Sequence, residues 1–155
     1  SKVILVRTGE NKLYLYENGE VTKEYSVATG EAKFPTPTGM WNVVSKLVNP
    51  TWTNPGSAWA TGMPATIGPG PGNPLGSHAL ALDAPGILIH ATSDSASIGY
   101  SASHGCIRMN TADEIDLFGR VSTGTKVAIV NGGPPVPRPS TPAPATPDQN
   151  AAVNF

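Results

Sequence analysis

The chain has 155 residues, among them 17 glycines and 16 prolines, which suits one domain of short elements and excludes a bundle of long helices. Ten Lys and Arg residues nearly balance eleven Asp and Glu residues and form no basic run, so nucleic acid is not expected as a partner. The single cysteine, Cys106, excludes an internal disulfide and a cysteine-rich zinc site.

The N-terminal part of the chain predicts a β-meander. Apolar runs at residues 3–6 and 13–16 precede a third strand candidate at 21–28, and an Asn-Gly pair at 18–19 separates the last two. Asn-Gly between strand formers is a strong hairpin signal, because both residues tolerate positive φ. Arg7 interrupts the first run, so neither a signal peptide nor a membrane span is expected at this end.

Further short strands are predicted at 41–47, 79–82, 87–89 and 126–130, most of them bounded by Gly, Pro, Asp or Asn. Their number and spacing predict a mostly β fold, either a sandwich or a barrel, with one or two short helices.

The stretch from 48 to 77 is dense in Pro, Gly, Asn and Thr, so little regular structure is expected there. A loop of this length in a compact domain is usually functional or disordered. Trp52 and Trp59 favour an ordered loop. Their indoles could form the wall or lid of a site, or could simply pin the loop to the core.

One helix is predicted from residues 110–114, where Asn, Thr, Asp and Glu supply capping side chains and early carboxylates. Ile115 and Phe118 follow at a spacing that predicts a shared apolar face. The helix is expected to end near Gly119 or near Gly124.

The composition changes after residue 130, where prolines alternate with Ala, Ser and Thr. Such a segment cannot bury enough apolar surface to offset its ordering entropy, so an extended or disordered tail is expected. We therefore predict a folded unit at 1–131 and a Pro-rich C-terminal tail or linker at 132–155.

All three histidines fall between residues 78 and 104, and the lone thiol follows the last of them by two residues. Cys106 becomes an effective nucleophile if an imidazole takes its proton, and either His90 or His104 could do so. His90 closes a predicted strand, which would hold its ring on a rigid element. Gly105 allows a sharp turn and is expected to leave its own N–H and that of Cys106 unobstructed, as an oxyanion hole requires.

Simpler interpretations stand beside this one. A lone cysteine is more often a small buried hydrophobe than a nucleophile. A metal site built from His78, His90, His104 and Cys106 is conceivable, but the usual zinc spacing is absent. For His78 a structural role is preferred, because no neighbouring residue suggests another.

Two polar residues flank the thiol. Ser103 could contact a substrate or act as a turn hydroxyl, and the turn is the simpler interpretation. Arg108 could be a solvated charge, a salt-bridge partner within the sheet, or part of a site.

The segments around the thiol resemble a known signature. Ile-His-Ala-Thr at 89–92 and Ser-His-Gly-Cys-Ile-Arg-Met-Asn at 103–110 resemble the pattern of the YkuD-type L,D-transpeptidases, a histidine followed by a loop and Ser/Thr-His-Gly-Cys-x-Arg/Asn. Thr-Pro-Thr-Gly at 36–39 and Asn-Pro-Leu-Gly at 73–76 resemble two further segments of that family. The resemblance covers residues 2–131.

The resemblance implies a YkuD-like, mostly β catalytic fold without cofactor or metal. It implies export to the cell envelope, in the periplasm or cell wall, and peptidoglycan stem peptides as acyl donor and amine acceptor. Cys106 would be the nucleophile and His90 the base that activates it and later protonates the leaving amine.

The remaining site residues are also carried over from the resemblance. The Ala91 carbonyl would orient the catalytic histidine, and His104 and Gly105 would line the oxyanion hole with the thiol residue's own N–H. Ser103 and Arg108 would lie at the substrate-binding side, where Arg108 supports the substrate or the cysteine loop.

The implied reaction forms a thioester on Cys106 from a stem tetrapeptide and passes the acyl group to an amine, giving 3→3 cross-links. Water as acceptor would make the same site an L,D-carboxypeptidase. Carbapenems are expected to acylate the thiol.

A non-catalytic wall-binding module and a zinc-dependent hydrolase are the alternatives from other classes. His78 stands where many relatives carry arginine, so a contact with a substrate carboxylate is not expected to carry over to that position.

Overall fold

The N-terminal meander is confirmed by the structure, a computed structural model that describes residues 1–137. β1 (Lys2–Arg7), β2 (Lys12–Glu17) and β3 (Glu20–Gly30) pair in antiparallel order. The Asn-Gly pair at 18–19 has φ values of 52° and 83°, the left-handed conformation that a two-residue hairpin needs. Most of the predicted tail, residues 138–155, lies outside the described residues.

The rest of the described chain supplies eight strands and one α-helix. These are β4 (Gly39–Val48), β5 (Trp52–Thr53), β6 (Thr66–Ile67), β7 (His78–Leu82), β8 (Leu88–Thr92), β9 (Ser101–Ser103), β10 (Ile107–Asn110), α1 (Thr111–Arg120) and β11 (Lys126–Val130). The four predicted strands correspond to β4, β7, β8 and β11. The short strands β9 and β10 were missed, because three or four residues around a Gly-containing turn carry too little alternation to detect.

The main sheet closes on itself. Its strands follow the order β10-β8-β7-β4-β11-β1-β2-β3-β9, and β10 also pairs with β3. Three neighbouring pairs, β1 with β11, β8 with β10 and β3 with β9, run parallel. The mostly β prediction is thus confirmed, and of its two architectures the structure has the barrel. Within residues 1–137, no helix is long and apolar enough to cross a membrane.

The long loop between β4 and β7 is anchored to the body of the protein. Trp52 is buried, packs with Leu75 and belongs to the β5–β6 ribbon, where it pairs with Ile67. The Asn73 side-chain amide donates to the carbonyls of Pro50 at 2.8 Å and Ile67 at 3.0 Å, which closes the base of the loop. Trp52 therefore pins the loop to the fold.

Helix α1 packs on β7 and β8 with a face other than the predicted one. Leu117 and Glu114 are fully buried, whereas Ile115 is 45% exposed and Phe118 is partly buried. The predicted apolar face is wrong for Ile115, because residues 114 and 117 are turned to the sheet, whereas Phe118 packs against the edge of the core. Asn110 occupies the N-cap position, but its side chain makes no capping hydrogen bond.

Glu114 brings a carboxyl group into this packed interface. Among the described residues, neither of its carboxylate oxygens has a hydrogen-bond partner. Burial raises the pKa of Glu114 well above its ordinary value near 4.5, because no nearby charge or donor compensates for the lost hydration. The folded chain therefore holds this proton up to a higher pH than the unfolded chain does.

The buried Glu114 carboxyl predicts that the free energy of unfolding depends on pH. Because the folded-state pKa is raised, the free energy of unfolding falls as pH increases above about 4.5. Glu114→Leu is expected to raise that free energy at pH 7 by roughly 1–3 kcal/mol. Urea titrations followed by circular dichroism between pH 4 and 8 measure both effects. Glu114→Gln should flatten the pH dependence, and an unchanged slope in that variant contradicts the account.

Candidate active site

The parallel pairing of β8 and β10 brings the thiol to the histidine strand. Arg108 lies in register with His90, and Cys106 directly precedes β10 beside the start of β8. The backbone N–H of Leu88 donates to Cys106 Sγ at 3.3 Å. Since alternate residues of a strand share a face, Cys106, His90 and Arg108 are directed to the same side of the sheet.

The His90 ring is fully buried, and its Nδ1 lies 2.7 Å from the carbonyl oxygen of Ala91. A carbonyl only accepts, so Nδ1 carries the hydrogen and Nε2 is the nitrogen that can take up a proton. Burial lowers the pKa of His90 to about 3 and the Arg108 charge lowers it further, while the Ala91 contact opposes them. His90 is therefore a neutral imidazole at pH 7.

Cys106 is also buried, with 1% of its surface exposed. Burial raises the pKa of its thiol to about 11, whereas the Leu88 N–H and the Arg108 charge both favour the thiolate. The Sγ–H donates to the Gly86 carbonyl at 3.5 Å. Thiol and imidazole are therefore both uncharged at rest, and the thiol must lose its proton as it reacts.

The turn that carries the thiol requires a glycine. Gly105 has φ +127°, and a Cβ on it would lie 3.3 Å from Ile87 Cδ1. The buried Ser103 hydroxyl accepts the Gly105 N–H at 3.0 Å and donates to the Cys106 carbonyl at 2.6 Å. Ser103 thus makes the contacts of a turn hydroxyl, and a substrate contact from it stays a prediction. The Gly105 N–H, expected to be unobstructed, is taken up by it.

Two aromatic rings hold His104. The indole of Trp59 stacks on its imidazole with ring centroids 4.3 Å apart and planes 8° apart. Phe34 meets the same imidazole edge-on, with centroids 4.9 Å apart. Trp59 thus stacks on the histidine two residues before the thiol and also packs against the buried Trp52 and Leu75. That its indole forms the wall or lid of a site stays a prediction. Sequence reasoning missed Phe34, which carries no motif of its own.

Arg108 is only 2% exposed, so the solvated-charge interpretation is wrong. Its guanidinium lies 3.6 Å from the Asp94 carboxylate and donates to the Ala102 carbonyl at 3.4 Å. These contacts tie the loop between β8 and β9 to the cysteine strand, and Asp94 was not foreseen as a site neighbour. A substrate contact from Arg108 stays a prediction.

His78 lies on the opposite face of the sheet from His90, because its neighbour Ala79 is the residue in register with His90. Its ring packs edge-on against Phe118 at 4.9 Å, and its Nδ1 shares a hydrogen bond of 2.8 Å with the Ser77 hydroxyl. Its contacts are structural. In the described part of the chain, no three His, Cys, Asp or Glu side chains are grouped as metal ligands.

The Asn-Pro-Leu-Gly segment supports the histidine from outside. Gly76 has φ +69°, and a Cβ on it would lie 2.7 Å from Ala91 Cβ and 3.0 Å from the Ala91 carbonyl oxygen. Glycine therefore lets this segment run directly against the peptide group that orients His90. The motif was visible in the sequence, but its contact was not.

Comparison with known proteins places this architecture. The L,D-transpeptidase catalytic domain model of the YkuD family matches residues 1–129. The chain is 36% identical over 139 residues to the probable L,D-transpeptidase YcfS of Escherichia coli K12, covering 83% of this chain and 43% of that protein. It is 34% identical over 126 residues to the putative L,D-transpeptidase YkuD of Bacillus subtilis 168, covering 81% and 64% respectively.

A solved structure agrees with these relatives. The crystal structure of the Enterococcus faecium L,D-transpeptidase C442S mutant superimposes with a TM-score of 0.68 at 25% identity, covering 83% of this chain and 49% of that one. The chain belongs to the YkuD family of L,D-transpeptidase catalytic domains. It spans less than two thirds of the length of both named relatives.

The contact of Gly76 with Ala91 predicts a specific effect of Gly76→Ala. The new Cβ should displace the Ala91 carbonyl and slow reactions of Cys106 as well as lowering the melting temperature. Gly124→Ala is the matched control, because Gly124 also has positive φ (+91°) but no atom within 4 Å of its Cβ position. That control carries only the backbone strain of about 1–2 kcal/mol. Equal effects of the two substitutions on thiol reactivity contradict the contact.

The uncharged thiol predicts the pH profile of its alkylation. With a pKa of about 11, the thiolate fraction of Cys106 should grow about tenfold per pH unit between pH 7 and pH 9. Iodoacetamide labelling followed by intact mass spectrometry measures the rate at the chain's single thiol. A rate that is already constant near pH 7 indicates a preformed thiolate–imidazolium pair instead.

Proposed function

We propose that this domain is a cysteine acyltransferase that acts on peptidoglycan stem peptides, with Cys106 as nucleophile and His90 as base. The observation that carries the proposal is the placement of both residues on one face of two adjacent parallel strands, with the His90 tautomer fixed by the Ala91 carbonyl. Membership of the L,D-transpeptidase family supports the substrate class.

In the first step Cys106 Sγ attacks the carbonyl carbon that joins the third stem residue to the terminal D-alanine. The thiol proton passes to His90 Nε2 as the C–S bond forms, and the carbonyl electrons move onto oxygen. A neutral His90 suits this role, because a protonated ring could not accept the proton. The Arg108 charge stabilises the developing thiolate.

The tetrahedral oxyanion then needs a donor. With the Gly105 N–H bonded to Ser103, the Cys106 N–H is the donor we assign, and we also assign His104 to the lining of this oxyanion site. Collapse of the intermediate breaks the C–N bond. The departing D-alanine amine takes its proton from His90, and a thioester remains on Cys106.

The acceptor completes the cycle. An amine of a second stem attacks the thioester carbon, His90 removes the amine proton, and the thiolate leaves and is reprotonated. The product is a 3→3 cross-link. Water in place of the amine gives the trimmed tripeptide instead, so carboxypeptidation uses the same residues. Peptidoglycan as substrate implies that the domain works in the cell envelope.

The proposal predicts the products formed from two stem peptides. Wild type given a tetrapeptide donor should gain the mass of the tetrapeptide less that of D-alanine, and adding an acceptor stem should yield the cross-linked dimer. Cys106→Ala should give neither, and a carbapenem should add its mass only to wild type. Liquid chromatography with mass spectrometry measures all three.

The same experiment separates the alternatives. Tripeptide without dimer assigns the carboxypeptidase activity. Retention on peptidoglycan that is equal in wild type and Cys106→Ala, without any turnover, overturns the enzyme proposal and assigns a wall-binding module.

A further inference from the structure

A buried hydroxyl outside the signature reaches the peptide group that precedes the thiol. Thr36 is 5% exposed, and its Oγ1 accepts the backbone N–H of Gly30 at 2.9 Å. The same oxygen lies 2.8 Å from the carbonyl oxygen of Gly105. A hydroxyl has one hydrogen, and only the carbonyl of these two partners can accept it, so Thr36 donates to Gly105.

The Thr36 hydrogen bond fixes the orientation of the whole peptide group between Gly105 and Cys106. The Gly105 carbonyl and the Cys106 N–H belong to one planar trans peptide, in which the two groups point in opposite directions. Holding the oxygen on one side therefore aims the N–H at the other. The Ser103 hydroxyl binds the two flanking peptide groups, at the Gly105 N–H and the Cys106 carbonyl, so the three peptides around Cys106 are tethered by two hydroxyls.

We propose that Thr36 is a positioning residue for the oxyanion-binding N–H of Cys106. The inference rests on the part of the proposed function that makes Cys106 the acyl acceptor. A peptide that begins at glycine is the softest point of the turn, because Gly105 has no side chain to limit its rotation. The tether removes that freedom before an acyl donor arrives, so the donor geometry is in place when the oxyanion develops.

The segment that presents Thr36 is itself constrained. Prolines at 35 and 37 enclose it and restrict both their own φ and the residue before each of them. A Cβ on Gly30 would overlap the Phe34 carbonyl oxygen and lie 2.7 Å from the Thr36 nitrogen. Glycine at the end of β3 thus lets the loop fold back far enough for the hydroxyl to reach both partners.

The test compares two reactions of the same thiol. With p-nitrophenyl acetate the Cys106 thiolate attacks the ester carbon, a C–S bond forms through a tetrahedral oxyanion, and p-nitrophenolate leaves with the electrons of the C–O bond. With iodoacetamide the thiolate displaces iodide from carbon and no oxyanion forms. A residue that aims the oxyanion donor affects the first reaction and not the second.

The variants are Thr36→Val, which keeps the branched shape without the hydroxyl, and Thr36→Ser, which keeps the hydroxyl. Thr36→Ala is the second hydroxyl-free variant in case Thr36→Val does not fold. Thr125→Val is the matched control, because Thr125 is 8% exposed and, within residues 1–137, its hydroxyl accepts only the Ser122 N–H of its own turn, at 3.3 Å. Intact-protein mass spectrometry measures the rates at which the acetyl and carbamidomethyl groups are added. The rates measured for Cys106→Ala are subtracted as background.

We expect Thr36→Val to slow acylation about tenfold while alkylation stays within twofold of wild type. This is less than the 10²–10³-fold that loss of a direct oxyanion donor costs, because Thr36 acts through Gly105. Thr36→Ser should restore acylation, and Thr125→Val should change neither rate. Equal slowing of both reactions, or no slowing of acylation, overturns the inference. If Thr36→Val slows acylation selectively but the wild type does not react with stem peptides, the proposed function is overturned and the inference about Thr36 stands.

Discussion

The pairing of β10 with both β8 and β3 is the constraint on which the rest of the structure depends. It closes the barrel, and it also sets His90 beside Arg108 and Cys106 beside the start of β8. The opposite face of the same strands is held by the core, where the side chains of Ile89, Ile107 and Met109 pack with α1. One set of backbone hydrogen bonds thus fixes the fold and the relative position of the proposed nucleophile and base.

Burial sets the electrostatics of this pair. Both groups lose hydration, so the thiol pKa rises and the imidazole pKa falls, and the uncharged pair is the stable resting state. The Arg108 charge stabilises the Cys106 thiolate but disfavours the His90 imidazolium. It therefore helps the thiol to lose its proton and does not help the imidazole to accept it. Because the Arg108 guanidinium is also bound to Asp94, it stabilises the loop between β8 and β9 but does not keep Cys106 and His90 permanently ionised.

The sequence predicts those parts of the structure that local chemistry determines. The Asn-Gly hairpin, four further strands and the Ser-His-Gly-Cys turn follow from backbone preferences of a few adjacent residues. The barrel closure, the stacking of Trp59 on His104 and the Thr36–Gly105 hydrogen bond join residues far apart in the chain, and no local pattern encodes such contacts. The buried face of α1 was mispredicted for the same reason, since a carboxyl at 114 looks solvent-facing until the sheet that covers it is known.

The candidate site consists largely of backbone groups, and this explains the glycines at positions 30, 76 and 105. The Ala91 carbonyl orients the base, the Leu88 N–H contacts the sulfur, and the Cys106 N–H is the proposed oxyanion donor. Backbone groups cannot be placed by choosing a different side chain. They are placed by neighbours that approach closely, as Gly76 does at Ala91, or by short hydroxyls that bridge two peptides, as Thr36 and Ser103 do. A site of this kind needs glycine where peptides touch and threonine or serine where they must be held apart at hydrogen-bond distance. The motifs outside the cysteine segment therefore contact the same site, because the Gly76 segment touches the peptide group beside His90 and Thr36 touches the one that precedes Cys106.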